Sequence, residues 1–120
     1  MIKVLIIDDE QDVLTMFRIM LPKYAFKVDT LASGKHVIET VETLQPDVIL
    51  LDIMLDNHYD GRQICRELKT NFKTKKSKII LYSGNTAQNE RATGFCEDAF
   101  MVKPIKLNDL VNKLNYIATH

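Results

Sequence analysis

The sequence has 120 residues, 46% of them hydrophobic, with only 4 Gly and 3 Pro, so it can build one hydrophobic core and is neither disordered nor fibrous. The charges of its 16 basic and 16 acidic residues cancel, and a net charge of zero argues against direct binding of nucleic acid. No apolar run approaches the roughly 20 residues of a membrane span, and the N-terminus lacks the layout of a secretion signal, so we expect a single cytoplasmic domain over residues 1–120.

Short apolar runs alternate with segments of helical periodicity along the chain. The runs occupy residues 3–7, 27–31, 47–51, 78–82 and 99–102, and they are typical of strands buried on both faces of a parallel sheet. Apolar positions spaced as on one helix face lie between or after them: Val13, Leu14, Phe17, Met20 and Leu21; Val37, Ile38, Val41 and Leu44; Ile64, Cys65 and Leu68; Leu107, Leu110, Val111, Leu114, Ile117 and Ala118.

A weaker pattern at residues 85–95 predicts a short fourth helix. Ser33 is placed to cap the second helix, and Pro46 ends it. Strand and helix alternate five times, which predicts an α/β fold with a doubly wound parallel sheet. The basic run between the third helix and the fourth strand is typical of a solvated loop, and its members are Lys69, Lys73, Lys75, Lys76 and Lys78.

Polar residues follow four of the five predicted strands. In chain order they are Asp8, Asp9 and Glu10, then Asp52, then Ser83 and Gly84, and finally Lys103 and Pro104. Because the carboxyl ends of parallel strands meet at one edge of a sheet, we expect three carboxylates, a hydroxyl and an amine to lie together there. The second strand ends in Leu31, Ala32 and Ser33 and contributes no acid.

Each of these residues also has an ordinary structural interpretation. Asp8 or Asp9 could cap the first helix, and Asp52, Ser83 and Lys103 could be loop or turn residues. Together they favour a site, because two carboxylates about 4 Å apart repel by roughly 4 kcal/mol at an effective dielectric constant near 20. Mg²⁺ removes this repulsion, and the lysine and hydroxyl supply the charge and hydrogen bond that phosphoryl transfer needs.

With these elements in order, the sequence resembles the receiver domains of two-component response regulators. The resemblance rests on Asp8-Asp9 after the first strand, Val-Ile-Leu-Leu-Asp52, Tyr82-Ser83-Gly84 and Val102-Lys103-Pro104. It implies a flavodoxin-like five-stranded sheet of order 2-1-3-4-5. It also implies that a histidine kinase or phosphotransfer protein donates a phosphoryl group from phosphohistidine, with Mg²⁺ as cofactor. Such a domain catalyses only its own phosphorylation and dephosphorylation and is not a turnover enzyme.

The same resemblance implies a role for each site residue. Asp52 would be the phosphoacceptor, and Mg²⁺ would bind Asp8, Asp9, Asp52 and the main-chain carbonyl of Met54. Ser83 and Lys103 would contact phosphoryl oxygens, and the Lys103–Pro104 peptide bond would be cis. Phe100, otherwise a core aromatic residue, would switch together with Ser83. The predicted fourth helix, the fifth strand and the last helix would then signal to an output domain, a target protein or a second copy in a homodimer.

The sequence departs from the family pattern in the loop after Asp52. Asp56 stands where receivers usually have proline, and Gly61 lies one residue farther from Asp52 than the pattern has it. His58 in this loop is expected to be solvated rather than a ligand, because Mg²⁺ prefers oxygen. His36 and His120 are expected at the surface. Cys65 and Cys96 fit reduced thiols better than a disulfide, although the sequence leaves their pairing open.

Two other classes of protein stay open at this point. A degenerate receiver would serve only as a binding module, although the complete set of acids, hydroxyl and lysine argues against it. A phosphotransferase of the haloacid dehalogenase type would carry Asp-x-Asp-x-Thr or Val after the first strand, where this chain has Asp8-Asp9-Glu10-Gln11. A third class, the flavodoxin-like cofactor carriers, is weaker still, because this chain lacks a phosphate loop rich in glycine and hydroxyl groups after the first strand.

Overall fold

A five-stranded parallel sheet forms the centre of the computed structural model, which describes residues 1–55, 59–84 and 96–120. The strands are β1 (Ile2–Ile7), β2 (Phe26–Leu31), β3 (Val48–Asp52), β4 (Lys78–Ser83) and β5 (Ala99–Val102). Their spatial order is β2-β1-β3-β4-β5, and every neighbouring pair is parallel. The fold predicted from the sequence is therefore confirmed.

Helices cover both faces of this sheet. They are α1 (Gln11–Met20), extended by a 3₁₀ turn (Leu21–Tyr24), α2 (Val37–Leu44), α3 (Gly61–Thr70) and α4 (Leu107–Thr119). The fourth helix predicted at residues 85–95 lies outside the described residues, so α4 is here the C-terminal helix. Within the described ranges, no helix is long and apolar enough to cross a membrane.

Alternate residues of the central strands enter two separate cores. Val4 and Ile6 of β1 pack with α1 and α4 on one face, whereas Leu5 and Ile7 pack with α2 and α3 on the other. β3 is buried along its whole length, as the unbroken apolar run predicts. Because successive strand residues point to opposite faces, this alternation also sets the direction of the polar residues at the strand ends.

The start of α2 differs from the prediction. The helix begins at Val37 after His36, whose backbone is left-handed at φ 64°, so Ser33 is too far upstream to cap it. The Ser33 hydroxyl instead accepts a hydrogen bond from the Lys35 N–H at 3.1 Å. The end of the helix agrees with the prediction, because α2 stops at Leu44, before Pro46.

The basic run is only partly a solvated loop. Lys73, Lys75 and Lys76 are exposed, as expected. Lys69 lies in α3 and pairs with Asp98 at 2.8 Å, while the same Asp98 oxygen accepts a hydrogen bond from the Ile79 N–H at 2.8 Å. Lys69 therefore joins the end of α3 to the residues that lead into β5.

Cys65 and Cys96 are joined in a disulfide in the structure, so the expectation of two reduced thiols is wrong. Cys65 is buried in α3, and Cys96 packs against the same core from the chain before β5. Their Cα atoms are 6.3 Å apart, inside the range of about 4.4–6.8 Å that a disulfide spans. The fold creates this proximity, and a separation of 31 residues in sequence does not reveal it.

The disulfide gives a prediction about stability. Breaking a cross-link restores conformational freedom to the unfolded chain, so adding a reductant should lower the melting temperature of the oxidised protein. The matched control is Cys96→Ser, in which reductant should change nothing. Thiol titration of the denatured protein should detect the two cysteines only after reduction. Two free thiols in air-exposed protein, with a melting temperature that ignores reductant, would contradict the pairing.

Candidate functional site

Three carboxylates meet at the carboxyl edge of the sheet. Asp8 follows β1, Asp9 comes next to it, and Asp52 is the last residue of β3. One carboxylate oxygen from each lies within 4.8 Å of the others, and no second group of this kind occurs among the described residues. Asp8 and Asp52 are only 0% and 3% exposed, whereas Asp9 is exposed. The structure thus brings together the three acids that the sequence analysis singled out.

Lys103 connects these acids from the loop after β5. Its Nζ donates a hydrogen bond to Asp52 Oδ2 at 2.9 Å and another to Asp8 Oδ2 at 3.1 Å. A third carboxylate, Glu10, lies 3.5 Å from the same nitrogen. The Lys103–Pro104 peptide bond is cis, as the resemblance implies. A cation therefore stands between the two buried acids and offsets part of their repulsion.

Burial and charge together set the pKa values at this edge. Burial raises the pKa of Asp52 to about 6, against the opposing hydrogen bond and charge of Lys103. Burial lowers the pKa of Lys103, but its hydrogen bonds and ion pairs with Asp52 and Asp8 outweigh this and raise it overall. Asp9 is exposed, but partial desolvation by its neighbours and then the charge of Asp8 raise its pKa. Asp52 and Asp9 are therefore both easier to protonate than a free aspartate, mainly because they are shielded from water.

The raised pKa of Asp52 predicts a pH dependence of stability without metal. Its pKa of about 6 exceeds the reference value of 3.8, so between these values the folded protein binds more protons than the unfolded chain. The free energy of unfolding should therefore rise, by at most about 3 kcal/mol, as the pH falls through this window. Urea unfolding with a chelator present, compared with Asp52→Asn, isolates this contribution. An identical pH dependence in both proteins would contradict the assignment.

Tyr82 is a site residue that the sequence analysis missed. It precedes Ser83 on β4, is 1% exposed, and lies opposite Asp52 in the parallel register. Its hydroxyl donates a hydrogen bond to Asp8 Oδ2, and its ring lies 4.7 Å from Lys103 Nζ. Burial and the nearby charge of Asp8 raise its pKa, so the hydroxyl keeps its proton. Only a partial signal was present in the sequence: Tyr82 directly precedes Ser83 at the end of the predicted fourth strand, but its contact with Asp8 depends on the strand order.

The loop after β3 is held at its two ends by backbone N–H groups that bond to Asp52 and to Ile53. The Met54 N–H donates a hydrogen bond to Asp52 Oδ1 at 3.0 Å, and the Met54 side chain is 55% exposed beside it. Gly61, the first residue of α3, donates its N–H to the Ile53 carbonyl at 2.8 Å. A Cβ at Gly61 would lie only 2.2 Å from the Asp52 carbonyl oxygen. A glycine is therefore required here, even though the loop is longer than the family pattern.

The remaining predicted residues take different positions. Ser83 is the last residue of β4 and is 1% exposed. Phe100 is half-buried and packs against the core between the sheet and α2 and α3.

The predicted surface histidines are confirmed where they are described. His36 is at the surface and pairs with Glu39 at 2.6 Å, and His120 is exposed. Asp56 and His58 lie outside the described residues. Asp60 caps α3, accepting a hydrogen bond from the Arg62 N–H at 2.8 Å.

Comparison with protein families identifies this arrangement. The family model described as the response regulator receiver domain matches residues 4–115. The chain belongs to this family. Receiver domains accept phosphoryl groups in two-component systems, where they interact with histidine kinases and output domains, and this is the general function of the family to which the chain belongs.

Individual receiver proteins show the same likeness. The alkaline phosphatase synthesis transcriptional regulatory protein PhoP of Bacillus subtilis is 28% identical over 104 residues, which are 85% of this chain and 42% of that protein. The chain spans about half the length, or less, of the curated relatives that it matches. Such relatives contain a receiver domain together with further sequence.

Solved structures support the receiver fold. A putative response regulator from Chloroflexus aurantiacus superposes with a TM-score of 0.88 at 22% identity, covering 98% of each chain. The receiver domain of the sensor histidine kinase PA1611 from Pseudomonas aeruginosa superposes with a TM-score of 0.87 at 23% identity, again covering 98% of each chain. That structure has a magnesium ion coordinated in its active-site cleft.

Proposed function

We propose that Asp52 is the phosphoacceptor of this receiver domain and that the donor is the phosphohistidine of a histidine kinase or phosphotransfer protein. The observation that carries the proposal is the contact of 2.9 Å between Lys103 Nζ and Asp52 Oδ2, inside a cluster with Asp8 and Asp9. Asp60, the next described acid along the chain, already caps α3. Among the described acids, Asp52 is the one that ends the fully buried strand β3, with a lysine partner at 2.9 Å and two acidic neighbours.

The transfer moves one phosphoryl group between two residues. A carboxylate oxygen of Asp52 attacks the phosphorus, the phosphorus–nitrogen bond of the donor breaks, and the bond electrons return to the imidazole. At neutral pH most Asp52 is ionised, because its pKa is raised only to about 6. Once Asp52 carries the phosphoryl group, one of its oxygens would lie within reach of the Lys103 ammonium group, which contacts Asp52 in this structure. We propose that the Ser83 hydroxyl binds a second phosphoryl oxygen.

The donor set fits Mg²⁺, a cation that prefers oxygen ligands. Asp8, Asp9 and Asp52 provide carboxylate oxygens within 4.8 Å of one another, and the main-chain carbonyl of Met54 is our fourth proposed ligand. When bound, Mg²⁺ supplies positive charge that offsets the repulsion between these acids and the incoming phosphoryl oxygens. The PA1611 receiver, with magnesium in its cleft, supports the same assignment here.

We also propose the setting in which this chemistry acts. Residues 1–120 act as one receiver domain, which changes its own phosphorylation state and is not a turnover enzyme. Phe100 and Ser83 carry the change to β5 and α4, and this surface contacts an output domain, a target protein or a second copy. The fourth helix predicted at residues 85–95, which the sequence analysis assigned to the same surface, lies outside the described residues. The domain itself does not bind nucleic acid, consistent with its net charge of +0, and it shares the cytoplasm with its kinase.

Phosphorylation from a small donor tests this function without a cognate kinase. The protein is incubated with acetyl phosphate or phosphoramidate, with Mg²⁺ in one sample and a chelator in the other, and its intact mass is measured. We expect a gain of one phosphoryl group that depends on Mg²⁺. Rapid release of inorganic phosphate without a labelled protein would indicate a turnover phosphatase, and no gain in either sample would indicate a degenerate receiver.

Removing Asp9 should separate metal binding from folding. Asp9 is exposed and sits in a cluster of like charges, so Asp9→Ala should fold normally and lose most of the rise in melting temperature that Mg²⁺ produces by mass action. Asp12→Asn is the matched control, because Asp12 is an exposed acid at the start of α1 and does not belong to the cluster. Equal Mg²⁺ responses in wild type and Asp9→Ala would show that the metal site is misplaced.

A further inference from the structure

We propose that Tyr82 is a positioning residue of the acceptor site: its buried hydroxyl holds Asp8 in the orientation that Mg²⁺ binding requires, and its ring supports Lys103. This inference rests on the proposed function, because it concerns the same carboxylates. It assigns a task to a residue whose ring would otherwise be read as part of the hydrophobic core.

Both oxygens of Asp8 have fixed hydrogen-bond partners. Asp8 Oδ1 accepts the Glu10 N–H at 2.9 Å, and Asp8 Oδ2 accepts the Tyr82 hydroxyl and Lys103 Nζ. Asp8 is 0% exposed, so these hydrogen bonds stand in place of bonds to water. Among these partners, only the Tyr82 hydroxyl is an uncharged side-chain donor carried by a rigid ring, which makes it the group that fixes the direction of Oδ2.

The position of Tyr82 in the sheet explains how it reaches Asp8. Tyr82 lies opposite Asp52 in the register between β3 and β4, and β3 separates β4 from β1. Its side chain faces the core formed with α1 and α4, the face on which Ile6 of β1 also lies. The long tyrosine side chain thus extends past Asp52 to the acid that follows β1. A leucine or valine at this position would fill core volume without touching Asp8.

Lys103 provides the second contact of Tyr82. Its ammonium group is 4.7 Å from the centre of the Tyr82 ring and donates hydrogen bonds to Asp8 and Asp52. An ammonium this close to an aromatic face is attracted to it. Tyr82 therefore touches one proposed metal ligand through its hydroxyl and the proposed phosphoryl-binding lysine through its ring, and the hydroxyl contact can be removed while the ring is kept.

The Tyr82→Phe variant removes only the hydroxyl. Asp8 Oδ2 then keeps Lys103 as its partner and loses the neutral donor that fixed its direction. Removing an outer partner of a metal ligand typically costs 10–100-fold in metal affinity, so we expect about tenfold weaker Mg²⁺ binding. Tyr24→Phe is the matched control, since Tyr24 is 43% exposed and remote in sequence from every acid of the cluster.

Mg²⁺ is titrated into each protein, and the changes in the backbone amide signals of its NMR spectrum give the dissociation constant. We expect a dissociation constant about tenfold higher in Tyr82→Phe than in wild type and unchanged in Tyr24→Phe, with the spectrum of a folded protein in all three. Affinity in Tyr82→Phe equal to that of wild type would mean that the residue serves the core alone, and the proposal would be overturned.

Two further measurements keep this test decisive. If Asp9→Ala loses Mg²⁺ binding while Tyr82→Phe keeps it, only the role of Tyr82 fails; if both keep it, the proposed metal site fails as well. Should Tyr82→Phe not fold, the wild-type hydroxyl proton of Tyr82 is followed directly by NMR. We expect a slowly exchanging downfield signal that shifts when Mg²⁺ saturates the site, and a signal that ignores Mg²⁺ would overturn the proposal.

Discussion

Replacing Asp52 with asparagine is expected to abolish labelling by a small phosphodonor. An amide carries no charge and cannot form the acyl phosphate, while the side chain keeps nearly the same shape between Met54 and Lys103. Because the carboxylate is buried at 3% exposure and its pKa is raised, its removal should also leave the metal-free fold at least as stable at neutral pH. The loss of labelling is therefore expected in a folded protein, and intact mass together with a melting curve measures both effects.

Asp60→Asn provides the matched control for this variant. Asp60 lies on the same loop and accepts the Arg62 N–H as the cap of α3, a task that asparagine also performs. Labelling should stay at the wild-type level in Asp60→Asn. Wild-type labelling of Asp52→Asn, or loss of labelling in Asp60→Asn alone, would move the acceptor away from Asp52.

Replacing Gly61 with alanine is expected to have the largest effect on stability. The added Cβ would stand 2.2 Å from the Asp52 carbonyl oxygen and 2.8 Å from the Ile53 Cα, both of them backbone atoms. Neither can move without shifting the end of β3 or the start of α3. We expect a loss of about 3 kcal/mol or more, from a total that is roughly 5–15 kcal/mol for a domain of this kind. Urea unfolding measures the change.

Gly84→Ala is the corresponding control at the other side of the site. A Cβ at Gly84 would meet only the Lys103 Cβ at 3.8 Å, which is an ordinary contact. Its stability should stay within about 0.5 kcal/mol of wild type, as for most surface substitutions. If Gly61→Ala unfolded at the same urea concentration as wild type and Gly84→Ala, α3 would not pack against the Asp52 carbonyl as described.

The strands and the acids at their ends were predictable because short apolar runs alternate with segments of helical spacing along the chain. Buried parallel strands need apolar residues on both faces, so the run that ends at Asp52 stands out in the sequence. The convergence of Asp8, Asp9 and Asp52 then follows from the direction of parallel strands. Lys103 joins them for the same reason, since it follows β5 at the same edge.

What escaped prediction depends on contacts between distant segments or on single backbone conformations. Tyr82 was assigned to the fourth strand, but its hydrogen bond to Asp8 depends on strand order and side-chain length together. The pairing of Cys65 with Cys96 depends on how α3 packs beside the chain before β5. The late start of α2 depends on the left-handed backbone of His36, a conformation that histidine adopts only occasionally.

The chemical identity of the phosphorylated residue tests the central claim most directly. Wild-type protein labelled in the presence of Mg²⁺ is treated with borohydride, which reduces an aspartyl phosphate to homoserine, and peptide masses then locate the reduced residue. The acceptor site described here predicts homoserine at position 52 and an unmodified side chain at Asp8, Asp9 and Asp60. Homoserine at any of those three positions, or a labelled protein that yields none, would contradict it.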